Sequence, residues 1–394
     1  MVNLTLPAGA KDLLPLDVAQ KQWIESRLQT EFRAWGYHCI ITPTLEHLGT
    51  LTVGGAVKLE SVIQVDGSNA EILGLRPELT ASIARAYASR IGKINSPQRL
   101  YYNDNVFRKL PSSNRQQEFY QSGVELLGGV GLLADAEILL LLAKCLESVN
   151  LPHWQMVLGD VGLTTALLNT FPSQYRQKIR QCIADLDRVG LLNLAIPDQL
   201  KSQAIDLLDL RGQPQQVLDQ VLALSWVHNL DAEISYLKSL VELLENNFPT
   251  PPVLDLSLLQ SCGYYTGIVF EVVSGNYVIA QGGRYDQLLG LYNSQGISHP
   301  SIGFCLNLED LHKVLMPTLP QEIDSSEWLV VAIAPEAIKH TFVYAAELRS
   351  KYAVSAEIEL EFRDRSAVIA YGRSQGIKQI AWIGASGVIG TEQL

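Results

Sequence analysis

Two ten-residue runs, Arg99 to Arg108 and Glu118 to Leu127, flank a polar stretch from Pro111 to Gln117. Their content of aromatic and β-branched residues and the polar segment between them predict strand, loop and strand, a long antiparallel hairpin. That hairpin makes an antiparallel sheet the centre of whatever this chain folds into. Successive side chains of a strand point to opposite faces, so Gln121, Gly123 and Glu125 share one face, with the small Gly123 leaving space between two polar groups. Polar groups on an inward face are costly unless paired. From pattern alone this face is either a ligand site or simply wet.

The segments around the hairpin supply helices to cover a sheet. Residues 17–35 place Ile24, Leu28, Phe32 and Trp35 at helical spacing, and Gly36 follows where a helix stop belongs. Tyr37 to Thr42 reads as a strand closed by Pro43. Ala134 to Ser148 is a Leu-rich helix and Trp154 to Gly159 a short strand. From about 171 to 226 the pattern is helical and more polar, broken at Pro197, Gly212 and Pro214, which predicts a helical insertion. A helix over Asp231 to Asn246 leads through a Pro-rich turn to strands at Val253 to Leu258, Tyr265 to Val273 and Tyr277 to Ala280.

The segment MPTLPQEIDSS reads as a linker, placing a core over 1–320 and a second domain over 327–394. In that second domain the strand-like segments Trp328 to Ala334, Ala356 to Leu360 and Gln379 to Gly384 alternate with helical stretches at Glu336 to Ser350 and Arg363 to Gln375. This predicts a small α/β domain with parallel strands. A length of 394 residues accommodates these parts.

Composition narrows the function classes. The longest apolar runs, such as Ile138 to Ala143, are far short of the ~20 residues of a membrane helix, and the N-terminus lacks a basic start followed by an apolar run. A cytoplasmic protein is the expectation. The net charge of −11 is opposite in sign to that of a whole-surface nucleic-acid binder. From Ser326 onward seven Lys and Arg meet eight Asp and Glu, so the acidity resides in the larger part. The five cysteines, Cys39, Cys145, Cys182, Cys262 and Cys305, are scattered without a CxxC pair and read as reduced core residues. No phosphate loop, HExxH or GxSxG is found, and the seven His residues form no ligand cluster, which argues against a metal site, a P-loop nucleotidase or a covalent hydrolase.

Four segments remain: LRPELTA (Leu75 to Ala81), YYNDNVFRKL with EFYQSGVELLG, CGYYTGIVFEV, and GGRYDQLLG with PSIGFCLNLEDL. Together they resemble the class II aminoacyl-tRNA synthetase core, and histidyl-tRNA synthetase in particular, over nearly the whole chain. The opening LPAGAKDLLP is similar to that family's first segment. The first helix, strand and Pro43 resemble its dimer-forming first motif. VFRKLPSSNRQQEFYQSGVELLG resembles the second motif and GFCLNLEDL the third. The resemblance implies an α+β fold, an antiparallel sheet flanked by helices, with a shortened anticodon-binding-like domain at the C-terminal end.

Carried over residue by residue, the resemblance implies a histidine pocket in which Glu78, Thr80, Gln121 and Glu125 hold the ammonium and imidazole. Arg108 lies near the carboxylate, and Tyr264 and Tyr265 flank the imidazole, with Tyr285 beside them. Carboxylates suit an ammonium group, and phenols with a carboxylate can bond both ring nitrogens. The ATP half departs from the family. Asp310 stands where the third motif has its triphosphate-clamping arginine, and Asn307 replaces a glycine. Leu110 replaces an adenine-contacting glutamate, Gln260 replaces a charge-stabilising arginine, and Gly263 an aspartate. A single lost donor aimed at transition-state charge costs ~10²–10³ in rate, so two lost arginines imply that adenylation is silenced.

Amino-acid binding without adenylation resembles the family of ATP phosphoribosyltransferase regulatory subunits. That resemblance implies no catalytic residues, metal or cofactor in this chain, a short-form catalytic subunit as partner, histidine as feedback effector, and a homodimer within a hetero-oligomer. The near-neutral tail gives little electrostatic reason to expect tRNA. The alternatives are a working histidyl-tRNA synthetase or a synthetase-like paralogue that binds RNA or another partner.

Overall fold

The computed structural model describes residues 5–6, 9–55, 57–68, 71–91, 97–109, 116–227, 229–248, 250–259, 263–293 and 295–394. Leu110, Gln260, Cys262 and parts of the opening segment and of the hairpin loop lie outside these residues. Two compact units are present, Met1–Leu319 and Pro320–Leu394.

The first unit begins with α1 (Pro15–Ala34), whose Gln20, Ile24, Leu28 and Phe32 recur every four residues and are buried. Next come β1 (His38–Cys39), β2 (Leu45–His47), α2 (Leu48–Thr52), β3 (Gln64–Asp66), β4 (Ile72–Leu75) and α3 (Thr80–Ala86). The hairpin follows as β5 (Gln98–Phe107) and β6 (Glu118–Leu127), then α4 (Gly131–Ser148) and β7 (Gln155–Asp160). A helical stretch contains α5 (Val161–Asn169), α6 (Ser173–Ala184), α7 (Arg188–Asn193), α8 (Asp198–Leu208), the two-residue β8 (Arg211–Gly212), α9 (Pro214–Ala223) and α10 (Asp231–Glu245). The unit closes with β9 (Val253–Asp255), β10 (Ile268–Ser274), β11 (Tyr277–Arg284), α11 (Leu288–Leu291), β12 (Ser301–Asn307) and α12 (Leu308–Leu315).

Nine of these strands form one sheet in the order β1-β5-β6-β12-β11-β10-β7-β9-β8, and β2, β4 and β3 form a small second sheet. The large sheet is not antiparallel throughout. The pairs from β5 across to β7, and β9 with β8, are antiparallel, but β1 pairs with β5, and β7 with β9, in parallel. Long crossovers separate both parallel pairs in sequence, as parallel strands require. The strand expected over Tyr37 to Thr42 shrinks to His38–Cys39, and Ile40 N makes one further bond to Tyr101 O (2.9 Å) before the chain leaves the ladder.

Helix α4 is buried along most of its length because it packs against both α1 and α10, which explains its Leu-rich composition. Residues 171–226 bring Phe171, Ile183, Leu207 and Val221 into the same apolar cluster as the sheet, and β8 extends the sheet through β9. Of the described cysteines only Cys145 is buried; Cys39 is exposed and Cys182 and Cys305 are intermediate. The core assignment therefore fails for Cys39, which sits on an edge strand whose burial pattern is exposed.

The second unit contains β13 (Trp328–Ala332), α13 (Ile338–Lys351), β14 (Ala356–Ile358), α14 (Arg365–Ser374), β15 (Gln379–Gly384) and β16 (Gly387–Gln393). Its sheet runs β14-β13-β15-β16. The first three strands are parallel, but β16 returns antiparallel from a two-residue turn, which a crossover-free connection enforces. One apolar cluster includes residues of α13 and the other includes Val368 of α14. No described helix in either unit is long and apolar enough to cross a membrane.

Candidate functional site

The strand register explains why one spot on the sheet can receive polar side chains. A lateral row runs Leu100, Glu125, Gly303, Gly283 across β5, β6, β12 and β11, and the next row runs Tyr102, Gly123, Cys305, Gln281. In the first row two adjacent glycines lie beside one carboxylate. A Cβ on Gly303 would collide with Glu125 Oε2, and a Cβ on Gly283 would come within 2.8 Å of the Tyr265 ring. The missing side chains are what let Glu125 and Tyr265 lie over the strands.

All eight sequence-derived residues, Glu78, Thr80, Arg108, Gln121, Glu125, Tyr264, Tyr265 and Tyr285, line one pocket. Its volume is about 70 Å³, below the ~300–1,000 Å³ of drug-sized ligand sites. Glu125, 2% exposed, accepts from Thr80 Oγ1 (2.7 Å) on one oxygen and from the Tyr285 hydroxyl on the other. Burial outweighs both bonds and pushes its carboxyl up to about 8, with Glu78 adding to the rise.

Glu78 caps α3, its two oxygens accepting from Thr80 N (2.8 Å) and Ala81 N (2.7 Å). Its carboxyl is also raised by burial, against the pull of those bonds and of Arg108. Arg108 donates from Nε to Pro77 O (3.0 Å), tying the end of the hairpin to the LRPE segment. Tyr264 and Tyr265 stand 4.8 Å apart by ring centroid, and Tyr264 meets Tyr285 edge-on at 5.9 Å. The tyrosines thus form an aromatic corner beside two carboxyl groups. Such a site can bind a cation and hydrogen-bond both edges of a small polar ring.

The space expected beside Gly123 is already filled. Its Cβ position lies 2.5 Å from the hydroxyl of Tyr102, the cross-strand partner, so the small residue admits that phenol. Tyr102, Gln281 and Cys305 line the pocket without having been singled out as site residues. Counting back across the hairpin would have found Tyr102, because it pairs with Gly123; Gln281 and Cys305 have no signal short of the full register. Gln121 Nε2 lies 3.8 Å from Cys305 Sγ.

Asp310, where the synthetases have an arginine, sits in the first turn of α12. It accepts from Lys313 Nζ (2.7 Å) and Asn307 Nδ2 (2.8 Å), while Asn307 caps the helix. Both substitutions serve the helix terminus, where acidic side chains complement the helix dipole. Among the described residues no cluster of His, Cys, Asp or Glu could hold a metal ion.

Comparison with known proteins bears on the family and the fold. The family described as histidyl-tRNA synthetase matches residues 9–311. An ATP phosphoribosyltransferase regulatory subunit of Nostoc sp. strain PCC 7120 is 53% identical over 393 residues, covering 96% of both chains. That of Trichormus variabilis is 52% identical, covering 98% of both. A Bacillus halodurans structure described as an ATP phosphoribosyltransferase regulatory subunit/histidyl-tRNA synthetase superposes with a TM-score of 0.83 at 26% identity, over 98% of this chain and 99% of that one. The histidyl-tRNA synthetase of Nostoc sp. PCC 7120 superposes with a TM-score of 0.80 at 21% identity, over 98% and 93%. The fold is therefore that of a class II aminoacyl-tRNA synthetase of the histidine type, and the chain belongs to the family of ATP phosphoribosyltransferase regulatory subunits.

Proposed function

We propose that this chain is the non-catalytic subunit of an ATP phosphoribosyltransferase complex, which catalyses the first step of histidine biosynthesis, and that it reports histidine to a short catalytic partner. Histidine occupies the pocket over β6, its ammonium and imidazole shared among Glu78, Thr80, Gln121, Glu125 and the tyrosine corner, its carboxylate toward Arg108. The complex is cytoplasmic and contains this chain as a homodimer. The unit from Pro320 is a shortened anticodon-binding-like domain, following a core that holds a helical insertion at about 171–226. Inhibition requires only that histidine bind one state of the complex better than another; ~1–3 kcal/mol of coupling is typical.

The observation that carries this reading is the contrast between the two halves of the site. The amino-acid half keeps every polar group in one pocket, whereas the start of α12 holds Asp310, neutralised locally by Lys313. A carboxylate paired with its own lysine offers a triphosphate no clamping arginine there, so adenylation is lost. ATP–pyrophosphate exchange and histidine titration on the same preparation test the pair of statements. Histidine binding without exchange is expected; histidine-dependent exchange would make the chain a working synthetase.

A further inference from the structure

The row Tyr102, Gly123, Cys305, Gln281 crosses the pocket two residues along the strands from the row that carries Glu125. Alternation puts Tyr102 on the same face as Gln121 and Glu125. Gly123 lies midway between those two polar residues on β6, and a Cβ there would meet the Tyr102 hydroxyl at 2.5 Å and its Cζ at 2.6 Å. The phenol therefore crosses β6 with its hydroxyl over the gap between Gln121 and Glu125.

Tyr102 is 2% exposed and lines the pocket. Its hydroxyl makes no hydrogen bond among the described residues. Unlike Ser122 Oγ, which is unpaired and sealed off, it is not shut away from a small molecule. Buried polar groups are nearly always partnered, so a phenol of this kind in a pocket wall calls for a partner inside the pocket. The neighbouring hydroxyls have committed their protons. Thr80 Oγ1 and the Tyr285 hydroxyl each donate to Glu125, so toward a ligand they can only accept. Both oxygens of Glu78 are acceptors as well, held by Thr80 N and Ala81 N. Tyr102 brings a donor instead, and burial raises its hydroxyl well above the ordinary range, so it stays protonated.

A neutral imidazole carries one N–H and one bare nitrogen. Acceptors for the N–H are plentiful here, and the bare nitrogen is the atom that needs a donor. Of the other donors, Gln121 Nε2 lies toward Cys305 Sγ (3.8 Å), and Arg108 serves the ligand's carboxylate. We propose that Tyr102 determines the specificity of this pocket, its hydroxyl donating a hydrogen bond to the bare ring nitrogen of histidine bound in its neutral form. That role rests on histidine being the occupant, and it names the group that tells an imidazole from a ring without nitrogen.

Calorimetric titration of the full chain, wild type and Tyr102→Phe, with histidine and with β-thienylalanine tests it. The thienyl group is a five-membered aromatic ring with no nitrogen. Wild type should prefer histidine by at least about a hundredfold, because the thienyl ring leaves the phenol and the facing acceptors unpaired. Tyr102→Phe should weaken histidine by about tenfold and leave β-thienylalanine unchanged, so the preference should shrink by the same factor. A phenol that only fills the space beside Gly123 would shift both ligands alike, and an unchanged preference would overturn the proposal. Histidine isotope-labelled in its ring nitrogens gives a second readout that needs no variant. Bound to wild type, its NMR spectrum should show one protonated nitrogen and one bare, hydrogen-bonded nitrogen; a doubly protonated ring would overturn the proposal. A wild type that binds no histidine would instead remove the occupant, and the role of Tyr102 with it, which sets that failure apart from an unchanged preference.

Discussion

The Tyr285 hydroxyl donates to Glu125 Oε2, and the neighbouring β12 leaves room for that contact only because residue 303 is glycine. Replacing Gly303 with alanine would drive a methyl group into Glu125 and into the backbone oxygen of Val124. Gly303→Ala should cost about 1–3 kcal/mol of stability, as overpacked sites do, and weaken histidine binding more than tenfold. Chemical denaturation and calorimetry read the two effects separately; a variant with unchanged affinity would mean that Glu125 does not touch the ligand.

Glu125 gives the site a pH dependence of definite sign. Its carboxyl is raised in the fold from 4.5 to about 8, so its neutral form is the favoured one. Its contribution to stability is complete below about 4.5 and is lost as the pH rises through about 8. A bound ammonium group favours the anion and expels the proton. Histidine binding at pH 7 should release close to one proton, and Kd should fall by up to about tenfold per pH unit between 6 and 8. Titrations in buffers of different ionisation enthalpy count that proton, and a buffer-independent heat would contradict the assignment.

Arg284, one residue before Tyr285, holds Asp135 through Nε (2.9 Å), while the same carboxylate accepts from Tyr236 of α10 (2.5 Å). Asp135 is 1% exposed, and burial raises its carboxyl despite the arginine. Arg284→Met leaves that carboxylate without its cation and should cost about 3–5 kcal/mol. Because Arg284 anchors the strand end that carries Tyr285, histidine affinity should fall with it. A double variant with Asp135→Asn should recover part of the stability, measured by denaturant midpoints.

Asp310→Arg alone should not restore ATP–pyrophosphate exchange. Asn307 still caps α12 where the synthetases have glycine, and Lys313 would then face a like charge. Exchange above background in the single variant would show that the loss of adenylation rests on this one residue.

The hairpin was legible almost to the residue: Gln98–Phe107 and Glu118–Leu127 against Arg99 to Arg108 and Glu118 to Leu127. Its strands are long and end against a polar loop. The third-motif strand Ser301–Asn307 was legible only as a motif, because Gly303 and Cys305 suppress the alternation that marks a strand. The three short strands around Leu45–His47 carry too few residues for any period to show. The eight residues that line the pocket were carried over from the resemblance to histidyl-tRNA synthetase, whereas Tyr102 and Gln281 needed cross-strand register.

A chain that regulates a partner rather than catalyses must change that partner's activity. The most direct test mixes it with the short ATP phosphoribosyltransferase catalytic subunit and follows phosphoribosyl-ATP formation with and without histidine, using wild type and Glu125→Ala. The expected result is activity that depends on adding this chain, inhibition by histidine with the wild type, and weakened inhibition with Glu125→Ala in a complex that still assembles. Activity indifferent to this chain, or inhibition unchanged by Glu125→Ala, would contradict it.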